Sequence, residues 1–385
     1  MKISQYIYLK NFNYKFGFKK ITILLNELIK ENNSILKSLS KNYDDQFKKK
    51  LILKFQKHKI IQIIGMGGSI LGSKAIYNFL NHKIKKKFLF LDNLEQKMNK
   101  TFIGKKKLNL VISKSGNTLE TIVNSNILIK KTDKNIFITE NKNSYLMKIA
   151  QNLKAEIIHH NNYIGGRYSV LSEVGMLPAE LMGLKSNKFR KFNDVIKSKN
   201  FLNSLILNVS STLNLIKKKK FNSIILNYDD RSQDLFYWYQ QLLSESLGKK
   251  GLGILPIISN LPKDNHSLMQ LYLDGFKNNF YTFFMVDEKS NNMIKKSKLI
   301  DSHNYLKNKS LMEIINSQFK ATEKVFKNRN IPHRTFIVKK RNEKTLAELF
   351  IFFILETILL GKALNVNPYD QPAVELIKTE TKKIL

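Results

Sequence analysis

The chain contains no cysteine. That absence excludes disulfides, thiolate zinc sites and a cysteine nucleophile, and it fits a reducing compartment. Carboxylates are scarce too: 30 Asp and Glu stand against 66 Lys and Arg, a formal charge of +36. Such a balance raises the question of nucleic acid. Yet the lysines are scattered along nearly the whole length, beside abundant asparagine and isoleucine, and all three have A/T-rich codons. A dispersed, solvated basic surface is therefore expected, with no nucleic-acid partner. A basic field also draws in anionic small molecules.

Long apolar runs are missing as well. The most apolar stretch, Leu346 to Leu364, carries Glu348, Glu356 and Lys362, which predicts a buried core helix rather than a membrane span. Met1 to Lys30 lacks the apolar segment followed by small residues that marks a secretory leader. The expectation is a cytoplasmic chain with no membrane partner. No short-period repeat and no long low-complexity tract interrupts it. What is present is a hydrophobic content of 43% over 385 residues, enough for two domains of ordinary size.

Short apolar runs alternate with helical patterns. Ile60 to Ile64, Phe88 to Leu91 and Leu108 to Ile112 read as buried strands, with Ile136 to Ile138 and Ile157-Ile158 continuing the series. Helices are predicted over Ser69 to Leu80 and Thr118 to Lys130. A polar stretch near Lys185 to Asn200 follows, and the alternation restarts at Ser223 to Leu226, Gly253 to Leu255, Tyr281 to Val286 and Thr335 to Val338. Further helices are predicted over Gln233 to Leu247, Leu311 to Lys327 and Glu343 to Gly361. This alternation predicts an α/β fold of two doubly wound parallel sheets, each flanked by helices. The expected division is residues 1–190, 191–345 and a C-terminal helical segment, 346–385.

In open parallel sheets ligands collect beyond the carboxyl ends of the strands, and the chemically marked blocks fall there. Gly65-Met66-Gly67-Gly68-Ser69 links a strand to a helix; glycines let backbone approach an anion, although a plain tight turn has the same look. Ser113-Lys114-Ser115-Gly116-Asn117-Thr118 gathers three hydroxyls and several amides at a helix start, which suits a phosphate. It is not a P-loop, because the Gly-Lys-Ser/Thr ending is missing. A helix cap by Ser115 or Asn117 uses the same orphan amides.

Gly165-Gly166-Arg167 sets a permanent cation on a loop, suited to a developing enolate oxygen. Glu245 ends an aromatic, largely buried helix before Gly248, where the helix dipole disfavours a carboxylate; the alternative is a surface pair with Lys249. His266 suits proton shuttling. His159-His160 has no metal-ligand spacing, and Lys378 taken alone reads as one more surface lysine.

In content and order these blocks resemble the phosphoglucose isomerase family, from about Ile60 to Lys378. The most specific pieces are Gly165 to Ser172, Gln241 to Lys249 and Asn367 to Glu375. The resemblance implies two sugar-isomerase domains and interconversion of glucose 6-phosphate and fructose 6-phosphate without metal or organic cofactor. It implies that Ser113, Lys114, Ser115 and Thr118 hold the phosphate and that Gly68 and Ser69 line the sugar site. Glu245 becomes the base between C2 and C1, and Arg167 the stabiliser of the enediolate. His266 and Lys378 open the ring, and Gln371 touches the phosphate end. The family's histidine comes from the partner subunit, so a homodimer is implied. Ile377 and Ala373 replace glycines common in the family. The loop Ser115 to Thr118 also resembles isomerases that accept mannose 6-phosphate, and a sugar-phosphate-sensing regulator that binds nucleic acid is a more remote alternative.

Overall fold

A computed structural model describes residues 1–95, 107–290, 292–295 and 301–385, with Asp301 described by its backbone alone. The chain opens with β1 (Ile7–Lys10) and three helices, α1 (Phe18–Lys30), α2 (Ser34–Leu39) and α3 (Lys49–Phe55). Then β2 (Ile60–Gly65), α4 (Leu71–Phe79), β3 (Lys87–Leu91), β4 (Leu108–Ile112), α5 (Leu119–Leu128), β5 (Lys134–Thr139), α6 (Tyr145–Asn152) and β6 (Glu156–His159) follow. Helices α7 (Glu173–Leu181), α8 (Phe192–Val195) and α9 (Lys199–Lys217) lead to the second series. That series is β7 (Asn222–Asn227), α10 (Gln233–Leu247), β8 (Leu255–Asn260), α11 (Met269–Asp274), β9 (Asn279–Val286), α12 (Leu311–Asn328), β10 (His333–Val338), α13 (Glu343–Ala363) and α14 (Ala373–Ile384).

Two five-stranded sheets result, in the orders β3-β2-β4-β5-β6 and β1-β10-β9-β7-β8. The first is parallel throughout. The second is parallel except for β1, which lies antiparallel to β10 with Ile7 opposite Val338. Every residue of β4 and of β9 is buried, as strands covered on both faces require. The α/β expectation holds.

Two details differ from the sequence reading. The strand expected at Gly253 to Leu255 starts at Leu255 and runs to Asn260; its Pro256 is tolerated because β8 is an edge strand. Strand β1, four residues long, escaped notice and belongs to the second sheet although it begins the chain.

Helix α13 is the core helix expected near Leu346, buried along nearly all its length. Each fully buried Leu, Ile or Phe contributes about 1.5–3 kcal/mol. Its Glu356 is paired with Arg334 of β10, both about 1% exposed. Asn208, Tyr239 and Thr282 complete that buried network, so every charge it removes from water has a partner. Among the described residues, no helix is long and apolar enough to cross a membrane.

Candidate active site

Helix α10 belongs to the second series and packs on α4 of the first as well as on α13. Its last turns therefore lie where the two halves meet, beside the carboxyl end of β2. There β2 gives way to a short 3₁₀ turn, Gly67–Ser69. Gly68 is pressed against the second glycine block: a Cβ on it would lie 2.1 Å from the carbonyl carbon of Gly166 and 2.4 Å from the nitrogen of Arg167. Only glycine admits this approach of two backbones. The two glycine blocks, nearly a hundred residues apart, thus share one wall, with Ser69 half-buried beside it.

Arg167 stands in the 3₁₀ turn Gly166–Leu171 and is about 2% exposed. Its Nε donates to the Ser246 hydroxyl at 2.8 Å. One terminal nitrogen donates to Glu245 Oε2 at 3.1 Å and to Gln371 Oε1 at 2.6 Å. The other donates to the carbonyls of Pro368 and Asp370 at 2.8 and 3.0 Å. Ser246 in turn pairs with the Tyr168 hydroxyl at 2.9 Å, which donates to the Pro368 carbonyl. Burial raises the Tyr168 phenol pKa in spite of the neighbouring guanidinium, so this hydroxyl remains a donor. Trp238 of α10 donates its indole N–H to the Arg167 carbonyl at 3.2 Å, fixing the turn from behind.

Glu245 pairs with Arg167 and not with Lys249. The lysine turns instead to Asp370, 3.0 Å away. The other Glu245 oxygen accepts from Gln241 Nε2 at 2.8 Å. Gln241 is a site residue that sequence reasoning missed. One helical turn before Glu245, it also lies beneath Gly67, where a Cβ would come within 2.6 Å of its Nε2. Its spacing of four from the carboxylate was the available signal. Glu245 and Gln241 open onto a cavity of about 500 Å³ lined also by Leu71, Lys74, Asp92 and Tyr237.

The hydroxyl loop follows β4. Gly65 and Ile112 are register partners, so this loop starts beside the first glycine turn. The Ser113 and Thr118 hydroxyls are 3.0 Å apart, and the Gly116 N–H donates to Ser113 Oγ at 3.2 Å. Gly116 takes φ +66°, and a Cβ there would collide with the Ser144 hydroxyl. Neither Ser115 nor Asn117 caps α5. Ser115 accepts from Asn117 N–H, and Asn117 accepts from Tyr145 N–H. Thr118 holds the cap position without a side-chain bond to the helix. The Lys114 ammonium leans away, donating to the Asn162 carbonyl at 2.7 Å and standing 3.6 Å from Glu140. Its burial lowers its pKa, with Glu140 opposing.

Two expected residues stand apart from this assembly. His266 is exposed on the 3₁₀ turn Lys263–His266 beyond β8 and makes no hydrogen bond to Glu245 or Arg167. Lys378 is exposed on α14, a helix with no buried residue, and is paired at 2.6 Å with Glu375. Among the described residues, no group of three His, Asp or Glu side chains is arranged to hold a metal.

Residues 31–254 match the family model described as phosphoglucose isomerase. This chain belongs to the phosphoglucose isomerase family. A glucose-6-phosphate isomerase of Methanocaldococcus jannaschii is 33% identical over 340 residues, covering 84% of this chain and 82% of that protein. One from Mycoplasmopsis pulmonis is 32% identical over 354 residues, covering 85% and 83%. Among solved structures, a hypothetical protein of Thermus thermophilus superposes with TM-score 0.84 at 22% identity, covering 98% of this chain and 99% of that one. A glucose-6-phosphate isomerase from Chlamydia trachomatis superposes with TM-score 0.72 at 16% identity, covering 96% and 85%. The fold is thus that of phosphoglucose isomerases, and the chemistry of this family is aldose–ketose isomerisation.

Proposed function

We infer that the chain interconverts glucose 6-phosphate and fructose 6-phosphate, and that the cleft beside Gly68 is where it does so. The observation that carries this assignment is the Arg167–Glu245 pair, a buried guanidinium fixed against a carboxylate that lines a cavity of about 500 Å³.

A C–H next to a carbonyl is a very weak acid, so the anion it leaves must be stabilised as it forms. Glu245 takes the proton from C2 of the open aldose. The C–H electron pair becomes the C1–C2 double bond, and negative charge develops on oxygen beside Arg167. The C2 hydroxyl proton passes to the oxygen on C1, Glu245 returns its own proton to C1, and C2 is left as the carbonyl of the ketose. The hydrogen bond from Gln241 and the contact with Arg167 hold the carboxylate in one orientation for both transfers. The backbone at Gly68 and Ser69 lines the sugar, with Gln371 beside Arg167.

Ser113, Ser115 and Thr118, with the first amides of α5, bind the phosphate, while the Lys114 ammonium stands aside on Asn162 and Glu140. That remote contact orients the reacting carbons. Ring opening, in which the bond from C1 to the ring oxygen breaks, that oxygen gains a proton and the C1 hydroxyl loses one, falls to His266 and Lys378. Exposure of His266 supports its delivery to the cleft of a second copy, in a cytoplasmic homodimer.

A coupled assay with fructose 6-phosphate tests the assignment. Wild-type protein turns over, and Glu245→Gln lowers kcat by about 10²–10⁴-fold. A silent wild type, or a variant of undiminished rate, overturns it.

A further inference from the structure

The lysines are not dispersed everywhere. At the amino end of the second sheet they gather with exposed aromatic rings. The segment after β1 places Tyr14 and Phe16 at the surface, 50% and 42% exposed. The end of α9 lies across them, with Lys218 Nζ 5.6 Å from the Tyr14 ring centre and Lys217 Nζ 5.1 Å from that of Phe16. The run continues through Lys219 and Lys220 to Phe221, 41% exposed. Lys220 donates to the carbonyl of Lys277. Both lysines line a cavity of about 490 Å³ together with Phe276, Asp274 and Arg329. Phe276 is 56% exposed.

The charge here is uncompensated. Among the described residues, none of Lys217, Lys218, Lys219, Lys220, Lys277 and Arg329 has an ion pair; Arg329 and Lys277 reach only the carbonyl of Leu273. Burial lowers the Lys220 pKa, and Lys218 and Lys277 lower it further. Asp274 is the one carboxylate on the cavity wall.

We propose that this face, from Tyr14 and Phe16 across the Lys217–Phe221 run to the Phe276 cavity, binds single-stranded nucleic acid. The lysines track phosphates and the exposed rings receive unpaired bases. A cationic groove with aromatic platforms is the physical arrangement that holds a flexible polyanion with stackable faces. A duplex hides its bases from such rings. A membrane favours rings on a protruding face, whereas Phe276 edges a concavity.

The test is fluorescence anisotropy of a labelled oligouridylate titrated with the full chain over a range of potassium chloride concentrations. Charge alone gives a protein of +36 some affinity for any polyanion, so position has to be separated from total charge. Removing three cations with K217Q/K218Q/K219Q reduces the magnitude of the negative slope of log K against log salt by about 2. The same number removed from an exposed site elsewhere, K48Q/K49Q/K50Q, leaves it nearly unchanged. Y14S/F16S weakens binding at least about 30-fold without altering the slope, because two stacking platforms and no charge are lost. Isomerase activity is unchanged in all three variants, which reports that each is folded.

Equal loss in the control variant, no effect of the aromatic variant, or an unlabelled duplex competing as well as the single strand overturns the proposal. So does binding to phosphatidylserine vesicles with the same residue dependence when the oligouridylate does not bind.

Discussion

Arg167 grips Glu245 with one nitrogen at 3.1 Å while its Nε holds Ser246, the next residue along, at 2.8 Å. One planar group thereby sets both the carboxylate and the helix end that carries it. Arg167→Lys keeps the charge but cannot reproduce a fork that also reaches Gln371, Pro368 and Asp370. The expected result is a fall in kcat of about 10²–10³-fold, with KM changed far less. Steady-state kinetics on both sugar phosphates read this directly.

Gly68→Ala inserts a methyl group where backbone atoms of Gly166 and Arg167 already stand at 2.1–2.4 Å. Backbone on both sides has to move, and Arg167 moves with it. Overpacking of this kind costs about 1–3 kcal/mol, so the urea midpoint falls and activity falls further than stability alone accounts for. Unchanged kinetics would show that the two turns are not in contact in solution.

His160, after β6, is fully buried. Its Nδ1 faces the carbonyl of Asn161 at 3.1 Å and so carries the proton, leaving Nε2 buried without a partner. Burial pushes its pKa down from 6.5 to about 4. Between those values the unfolded chain binds the proton and the folded chain does not, so stability rises with pH there and is lost on acidification. The loss starts below pH 6.5 and is complete near pH 4, on the order of 3 kcal/mol. His160→Gln flattens that part of the stability profile, as denaturant titrations at several pH values can check.

If His266 serves the cleft of a second copy, two inactive variants restore one another. Glu245→Gln and His266→Ala, unfolded and refolded together, form mixed dimers in which one of two sites is intact. About a quarter of wild-type activity returns at equal mixing, since half of the dimers are mixed. Absence of recovery in dimers shown to be mixed places the histidine in its own subunit's cleft.

The sequence revealed those parts of the site that are local. Helix α10 runs over Gln233–Leu247 as expected, because an aromatic, apolar pattern ends at Gly248. The glycine and hydroxyl blocks were visible because they interrupt apolar strands. Three-dimensional consequences were not visible. Gln241 resembles any polar residue on a helix until Glu245 is seen beside it. Asn117 resembles a cap until Tyr145 N–H takes it. Lys114 belongs to the hydroxyl loop by position, yet its ammonium answers to Asn162 and Glu140. The short strand β1 has too few residues to display a period, and its partner lies more than three hundred positions away.

That partner gives β1 a role in how the molecule is made. Strand β10 would otherwise border the sheet with open amides and carbonyls, a template for pairing with other chains. Synthesis delivers β1 more than three hundred residues before its partner strand, His333–Val338. The seam can therefore close only after Val338 has been made, and a ribosome stalled before His333 leaves β1 with no berth in its own polypeptide.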